Sequence, residues 1–183
     1  IGPQDRVLEI SPGPGTLTLT ALQLGAEVLA VELDRDLAAF LRRELVPDHR
    51  LTLVEGDILS QDLAALLAEY QPPDGANSGA ETAQKWKCAA NLPYNVATEV
   101  FFRLAEVMEH FSVLALMFQR EVARRFVAGC GDSEYGVLSL MSKLYADAEI
   151  VMTLPPGAFR PPPRVHSAVV RFYPVPGTRI PNP

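Results

Sequence analysis

A chain of 183 residues that is 48% hydrophobic has enough apolar material for one well-buried domain and too little for two large ones. It holds no apolar run of about 18 residues, so no transmembrane helix is expected, and its formal net charge of −6 weighs against a uniformly basic nucleic-acid binder. Its two cysteines, Cys88 and Cys130, lie far apart and outside any CxxC spacing, as in a reduced cytosolic protein, and His49, His110 and His166 have no metal-ligand spacing.

In chain order, Arg6 to Ile10 (RVLEI) is a short apolar run ending at a Gly/Pro cluster, the pattern of a buried strand. A helix is predicted over Thr16 to Leu24, stopping at Gly25, then a strand at Glu27 to Val31. Asp36 to Leu45 is a helix with Leu37, Phe40, Leu41 and Leu45 on one face and Asp34 or Asp36 as its cap. A strand at Leu51 to Val54 and a short helix at Asp62 to Glu69 follow. Gln71 to Gln84, rich in Pro, Gly, Ala and polar residues, is expected to be a mobile surface loop. Beyond it come a strand at Trp86 to Ala90, a helix at Ala97 to Glu109 and a strand at Val113 to Phe118. Helices at Glu121 to Ala128 and Val137 to Tyr145, then strands at Ile150 to Leu154 and Ser167 to Phe172, complete the set. Strand and helix alternate through the first part, which predicts an α/β fold: a mostly parallel sheet with helices on both faces and ligands beyond the carboxyl ends of its strands.

Every candidate motif falls at such a strand end. In LEISPGPGTLT (Leu8 to Thr18), Gly13 and Gly15 let the backbone turn tightly and approach a ligand. The segment departs from the dinucleotide fingerprint, because Thr18 stands where its last glycine would. The second strand ends in VELDRD and places Glu32, a carboxylate able to accept both hydroxyl hydrogens of a ribose. The third ends in VEGDIL, where Asp57 can accept from an adenine amino group and Ile58 can pack on the ring. These residues point to an adenosine-bearing ligand and leave NAD and S-adenosylmethionine both open.

Asn91 to Tyr94 (NLPY) follows the fourth strand. The exocyclic amine of adenine is a poor nucleophile, its lone pair being delocalised into the ring. The Asn91 side-chain oxygen and the Leu92 carbonyl can accept its two N–H groups and favour a more tetrahedral nitrogen. Pro93 restricts the backbone that holds that carbonyl, and the Tyr94 ring offers a face for a flipped-out base, a contact worth roughly 1–3 kcal/mol.

With these motifs in view, the chain resembles the ribosomal RNA adenine N6,N6-dimethyltransferase family, which modifies small-subunit RNA. The resemblance is carried by Glu9 to Thr18, VELDRDL (Val31 to Leu37), GD (Gly56, Asp57) and NLPYNVAT (Asn91 to Thr98). It continues in FQREVARR (Phe118 to Arg125), YGVLS (Tyr135 to Ser139) and PPGAFRPPPRVHSAVVRF (Pro155 to Phe172). It implies the Rossmann-like, seven-stranded class I methyltransferase fold and S-adenosyl-L-methionine as cofactor, with S-adenosyl-L-homocysteine as product. The cofactor set would be Ser11, Gly13, Gly15, Glu32, Leu33, Asp57, Ile58 and Asn91; the target base would meet Asn91, Leu92, Pro93, Tyr94 and a second aromatic, Phe159. The implied partner is the ribosomal RNA of a small-subunit precursor, met by a cytoplasmic monomer that needs neither metal nor membrane.

The chain departs from that pattern at Ser11, where the family usually has the first glycine of its turn. Starting at Ile1 and ending in a Pro-rich tail, it reads as a fragment: residues 1–174 as the catalytic domain lacking an N-terminal segment, and 175–183 as a linker toward a C-terminal helical subdomain. Competing readings are a resistance-type methylase of large-subunit RNA, a non-catalytic RNA-binding or transcription-factor relative, and, more distantly, a NAD-dependent dehydrogenase. The arginines group as Arg120, Arg124, Arg125 and as Arg160, Arg164, Arg171, which fits an ordinary solvated face as well as a functional patch.

Overall fold

The computed structural model describes residues 1–45, 48–70 and 84–177. Short apolar runs give seven strands: β1 (Arg6–Ile10), β2 (Glu27–Glu32), β3 (Leu51–Glu55), β4 (Trp86–Ala90), β5 (Phe111–Gln119), β6 (Ala146–Leu154) and β7 (Ser167–Pro174). The helices are α1 (Thr16–Gln23), α2 (Arg35–Glu44), α3 (Leu63–Glu69), α4 (Ala97–Ala105), α5 (Arg120–Val127) and α6 (Val137–Tyr145). One sheet in the order β3-β2-β1-β4-β5-β7-β6 joins all the strands. Its first five are parallel, and β7 runs antiparallel to both β5 and β6.

The predicted elements are present, with adjustments: the strand expected from Ile150 begins at Ala146, and the one expected from Val113 begins at Phe111. The helix expected to reach Glu109 ends at Ala105 and gives way to a 3-10 turn at Met108–His110. In α2 the buried residues are Ala38 and Leu41, while Phe40 is exposed and lies under the Arg43 guanidinium. Of the predicted loop Gln71 to Gln84 only Gln84 lies within the described residues, and of the predicted linker only 175–177 do.

All five residues of β1 are buried, so alternate side chains enter two cores. Leu8 and Ile10 join a large cluster with residues of α3, α4 and α5, whereas Val7 joins a smaller one with Ala21 and Leu22 of α1. Within the larger core Phe101, Phe118, Phe126 and Phe172 form a ring cluster, Phe126 sitting 4.7 Å from both Phe101 and Phe118. Aromatic pairs of this kind add about 0.5–1.5 kcal/mol each beyond area burial, and here they bind α4 and α5 to β5 and β7.

Strand order reverses between β1 and β4, which makes the crevice at their carboxyl ends the switch point of the sheet. Ile10 pairs with both Val31 and Ala90, so the next residues, Ser11, Glu32 and Asn91, emerge side by side. Glu32 pairs in turn with Glu55, which brings Asp57 to the same edge.

Candidate active site

The edge is stiffened by its own side chains. Glu32, 4% exposed, accepts from the Gly13 amide through Oε2 (3.0 Å) and from the Asp34 amide through Oε1 (2.9 Å). Asp34 then caps α2 by accepting from Asp36 and Leu37, a contact worth about 1 kcal/mol. One carboxylate thus ties the glycine turn after β1 to the entry of α2. Each oxygen accepts a single bond from the protein, which leaves lone pairs for further donors. Leu33 beside it is 64% exposed, the state of an apolar residue with an open face.

The two glycines of the first turn differ. A Cβ on Gly13 would meet nothing within 4 Å, so this backbone stands open to a ligand. A Cβ on Gly15 would lie 2.7 Å from Leu41 Cδ2 and from Leu45 Cδ1. Both glycines were expected to serve ligand approach; around Gly13 there is open space, whereas a side chain on Gly15 would displace the ends of Leu41 and Leu45. Both have positive φ, at 57° and 82°. Ser11 has φ 55°, the left-handed region where a side chain is strained, and its amide continues the β2 ladder by donating to the Val31 carbonyl. That φ explains why glycine suits this position.

Asp57 caps a 3-10 turn at Ile58–Ser60 by accepting from the Leu59 amide at 2.9 Å. Ile58 is 7% exposed and packed into the larger core, so Leu33 is the more open apolar surface at this edge.

After β4 the chain exposes Asn91, buries the Leu92 side chain at 2% and exposes Pro93. The Pro93 carbonyl accepts from the Val96 and Ala97 amides and so starts α4. Among the described residues no donor reaches the Asn91 side chain or the Leu92 carbonyl. Both acceptors are therefore available, and the leucine in the core and the proline at the helix start hold the backbone between them. Tyr94 is half-buried, and its hydroxyl shares a hydrogen bond of 2.5 Å with Ser167 Oγ. Phe159 is half-buried after a 3-10 turn, outside the aromatic core cluster.

Two features of this region escaped sequence reasoning. Glu9, mid-strand in β1, is 2% exposed on the α1 side beside Thr18. Burial pushes its carboxyl up to about 7; hydrogen bonding from Thr18 opposes the shift, and the nearby Glu32 charge adds to it. Neither Glu9 Oε2 nor the Thr18 hydroxyl completes a well-formed hydrogen bond. An acid interrupting the apolar run RVLEI was the signal for it. The second feature is the sorting of the arginines. Arg125 pairs with Glu121 and Arg171 with Glu149, whereas Arg120, Arg124 and Arg164 have no carboxylate oxygen within 4.0 Å among the described residues and line one cleft of about 390 Å³ with His166, Glu121 and Glu134, the last close enough to feel the Arg124 charge. The cleft opens beside Ser167, and hence beside Tyr94.

A switch-point crevice of this build, on a sheet in this order, defines a class I methyltransferase fold. Solved structures agree: a dimethyladenosine transferase from Plasmodium falciparum superposes with TM-score 0.73 at 30% identity, over 96% of this chain and 57% of that one. The 23S rRNA methyltransferase ErmE superposes with TM-score 0.76 at 22% identity, over 100% and 66%, and so shares the fold. The model of the ribosomal RNA adenine dimethylase family matches residues 1–179, and the chain belongs to that family. The ribosomal RNA small subunit methyltransferase A of Geobacter sulfurreducens is 41% identical over 98% of this chain, and that of Syntrophotalea carbinolica 42% over 93%. The chain spans 61% and 58% of the lengths of these two relatives.

Among the described residues, no helix is long and apolar enough to cross a membrane and no cluster of acids, histidines and cysteines could hold a metal ion. Cys88 is buried and Cys130 exposed, both as free thiols.

Proposed function

We propose that this chain carries the catalytic domain, residues 1–174, of an S-adenosylmethionine-dependent enzyme that dimethylates N6 of two neighbouring adenosines in small-subunit ribosomal RNA. Residues 175–183 would lead toward the remainder that the longer relatives carry. The observation that carries the reading is the unpartnered acceptor pair, Asn91 Oδ1 and the Leu92 carbonyl, beside Tyr94 at the switch point. Family membership and the small-subunit enzymes at about 40% identity support it. So does the cleft of Arg120, Arg124 and Arg164, whose three guanidinium groups outnumber its carboxylates, Glu121 and Glu134, and so favour an RNA backbone despite the acidic average of the chain.

The residues present fit the cofactor. The open backbone at Gly13 admits the methionine part, Glu32 retains acceptor capacity for a ribose, Asp57 sits where an adenine amine would be met, and Leu33 offers apolar cover. When bound, S-adenosylmethionine supplies an electrophilic methyl group on a sulfonium. Asn91 and Leu92 would hold the target amine by its N–H bonds and so turn its lone pair toward the methyl group that the bound donor would supply, the electron pair of the broken S–C bond remaining on the donor's sulfur. Positioning does most of this work. The amine becomes acidic as it is alkylated, so its proton leaves to solvent without a dedicated base. Tyr94 supplies one stacking face, and Phe159 the second wall of the base pocket. We place the enzyme in the cytoplasm as a monomer.

The test is tritiated methyl donor with unmodified small ribosomal subunits, the full-length protein and mapping of the labelled nucleotides. Two labelled neighbouring adenosines are expected, with Asn91→Ala and Tyr94→Ala reducing the label by about two to three orders of magnitude. Label in large-subunit RNA, or none, would overturn the proposal.

A further inference from the structure

Tyr94 is half-buried in the loop between β4 and α4, among the exposed residues Asn91, Pro93 and Asn95, and its hydroxyl has one hydrogen-bond partner among the described residues. Ser167 is its opposite: the first residue of β7, 0% exposed, paired with Gln119 of β5 on one side and Leu154 of β6 on the other. A buried hydroxyl on a strand that otherwise reads AVVRF is costly unless bonded. Its side chain has one partner among the described residues, the Tyr94 hydroxyl, 73 residues away in sequence. The bond passes across the end of β5 and attaches a loop side chain to the interior of the sheet.

We propose that Ser167 is a positioning residue for the reaction centre: it holds the Tyr94 ring at the height and angle that a stacked adenine requires. The inference rests on the dimethylation reading for its kinetic consequence, but the tether itself does not. Ser167 directly follows the segment carrying Phe159, Arg164 and His166, so the same bond sets the stacking face against the second aromatic and the arginine cleft. A base platform free to tilt loses near-attack geometry, and displacements of about 1 Å cost on the order of a hundredfold in rate.

The experiment uses full-length protein and pairs two readouts. In fluorine NMR of 3-fluorotyrosine-labelled protein, the Tyr94 resonance, assigned by its loss in Tyr94→Phe, is expected to shift and broaden in Ser167→Ala. In methylation of unmodified small subunits, Ser167→Ala is expected to lower kcat about tenfold at unchanged KM for the methyl donor. Tyr94→Phe, which removes the same bond from the loop side and keeps the Ser167 side chain in place, is expected to match it. The double variant should be no slower than either single one, because one bond is lost once. An unmoved Tyr94 resonance overturns the tether; an unchanged kcat, or losses that multiply in the double variant, overturn the positioning role. A wild type that methylates nothing defeats the dimethylation reading and leaves the fluorine spectrum to decide the tether.

Discussion

The Gly13 amide donates to Glu32 Oε2 across 3.0 Å, joining the turn after β1 to the end of β2. With the Asp34 amide on the other oxygen, Glu32 organises the crevice before any ligand enters it. Hydrogen bonds to a charged group contribute about 1.5–3 kcal/mol each. Glu32→Ala is therefore expected to destabilise the fold by roughly 2–5 kcal/mol in urea unfolding and to weaken cofactor binding at least tenfold by calorimetry. Glu32→Gln, which keeps one acceptor oxygen, should lose about half as much stability. An alanine variant of unchanged stability would contradict this role.

Gly13 and Gly15 differ in what a side chain would meet: open space at Gly13, and the ends of Leu41 and Leu45 at Gly15. Gly15→Ala meets two leucine methyl groups and a φ of 82°, so a loss of about 2–4 kcal/mol in stability is expected. Gly13→Ala has only its φ of 57° to contend with, costing about 1–2 kcal/mol; its larger effect should fall on cofactor affinity. Thermal melts with and without S-adenosylhomocysteine distinguish the two, and equal behaviour of the two variants would refute the distinction.

Ser11 holds a left-handed φ of 55° that glycine adopts without strain. Relief of about 1–2 kcal/mol is partly offset by the greater freedom of glycine in the unfolded chain, about 0.5–1 kcal/mol. Ser11→Gly should thus raise stability by up to about 1 kcal/mol, seen as a higher Tm. A lower Tm would mean that the serine side chain makes a compensating contact.

Glu9 gives the fold a pH dependence of defined sign. Its folded-state value of about 7 lies above the ordinary 4.5, so the native state favours the protonated form. Its stabilising contribution is complete below pH 4.5 and is lost as pH rises toward and through 7. Glu9→Gln, which cannot ionise, should match the wild type near pH 4.5 and exceed it above pH 7. The gap at high pH is expected to reach at most about 3 kcal/mol. Urea unfolding at both ends of this range checks it; a gap that shrinks with rising pH would reverse the assignment.

What the sequence made legible follows from local chemistry. Short apolar runs marked the strands, and RVLEI matches β1 residue for residue because both its faces are buried. Glu32, Asp57 and Asn91 stood out because each lies at, or within three residues of, the end of an apolar run, and parallel register then brings them to one edge. The position of β7 between β5 and β6 was not legible, since strand pairing at long separation leaves no periodic trace. For the same reason Ser167 read as an ordinary strand residue. The arginines were grouped by sequence spacing, whereas the fold regroups them by which have carboxylates across the strand or one helical turn away: Glu149 for Arg171 and Glu121 for Arg125. Gly15 looked like Gly13 because its reason, the methyl groups of Leu41 and Leu45, lies on the next helix.

The interior place of β7 has a consequence for how the molecule is made. During synthesis β5 and β6 emerge with no strand between them, and β6 has no other neighbour in the sheet. The chain must therefore wait for its last strand before the sheet closes, a pairing of high sequence separation of the kind that folds late. Tyr94, translated long before, has no Ser167 to meet until then. Synthesis of residue 167 is thus the step that lets the loop after β4 be tied to the sheet.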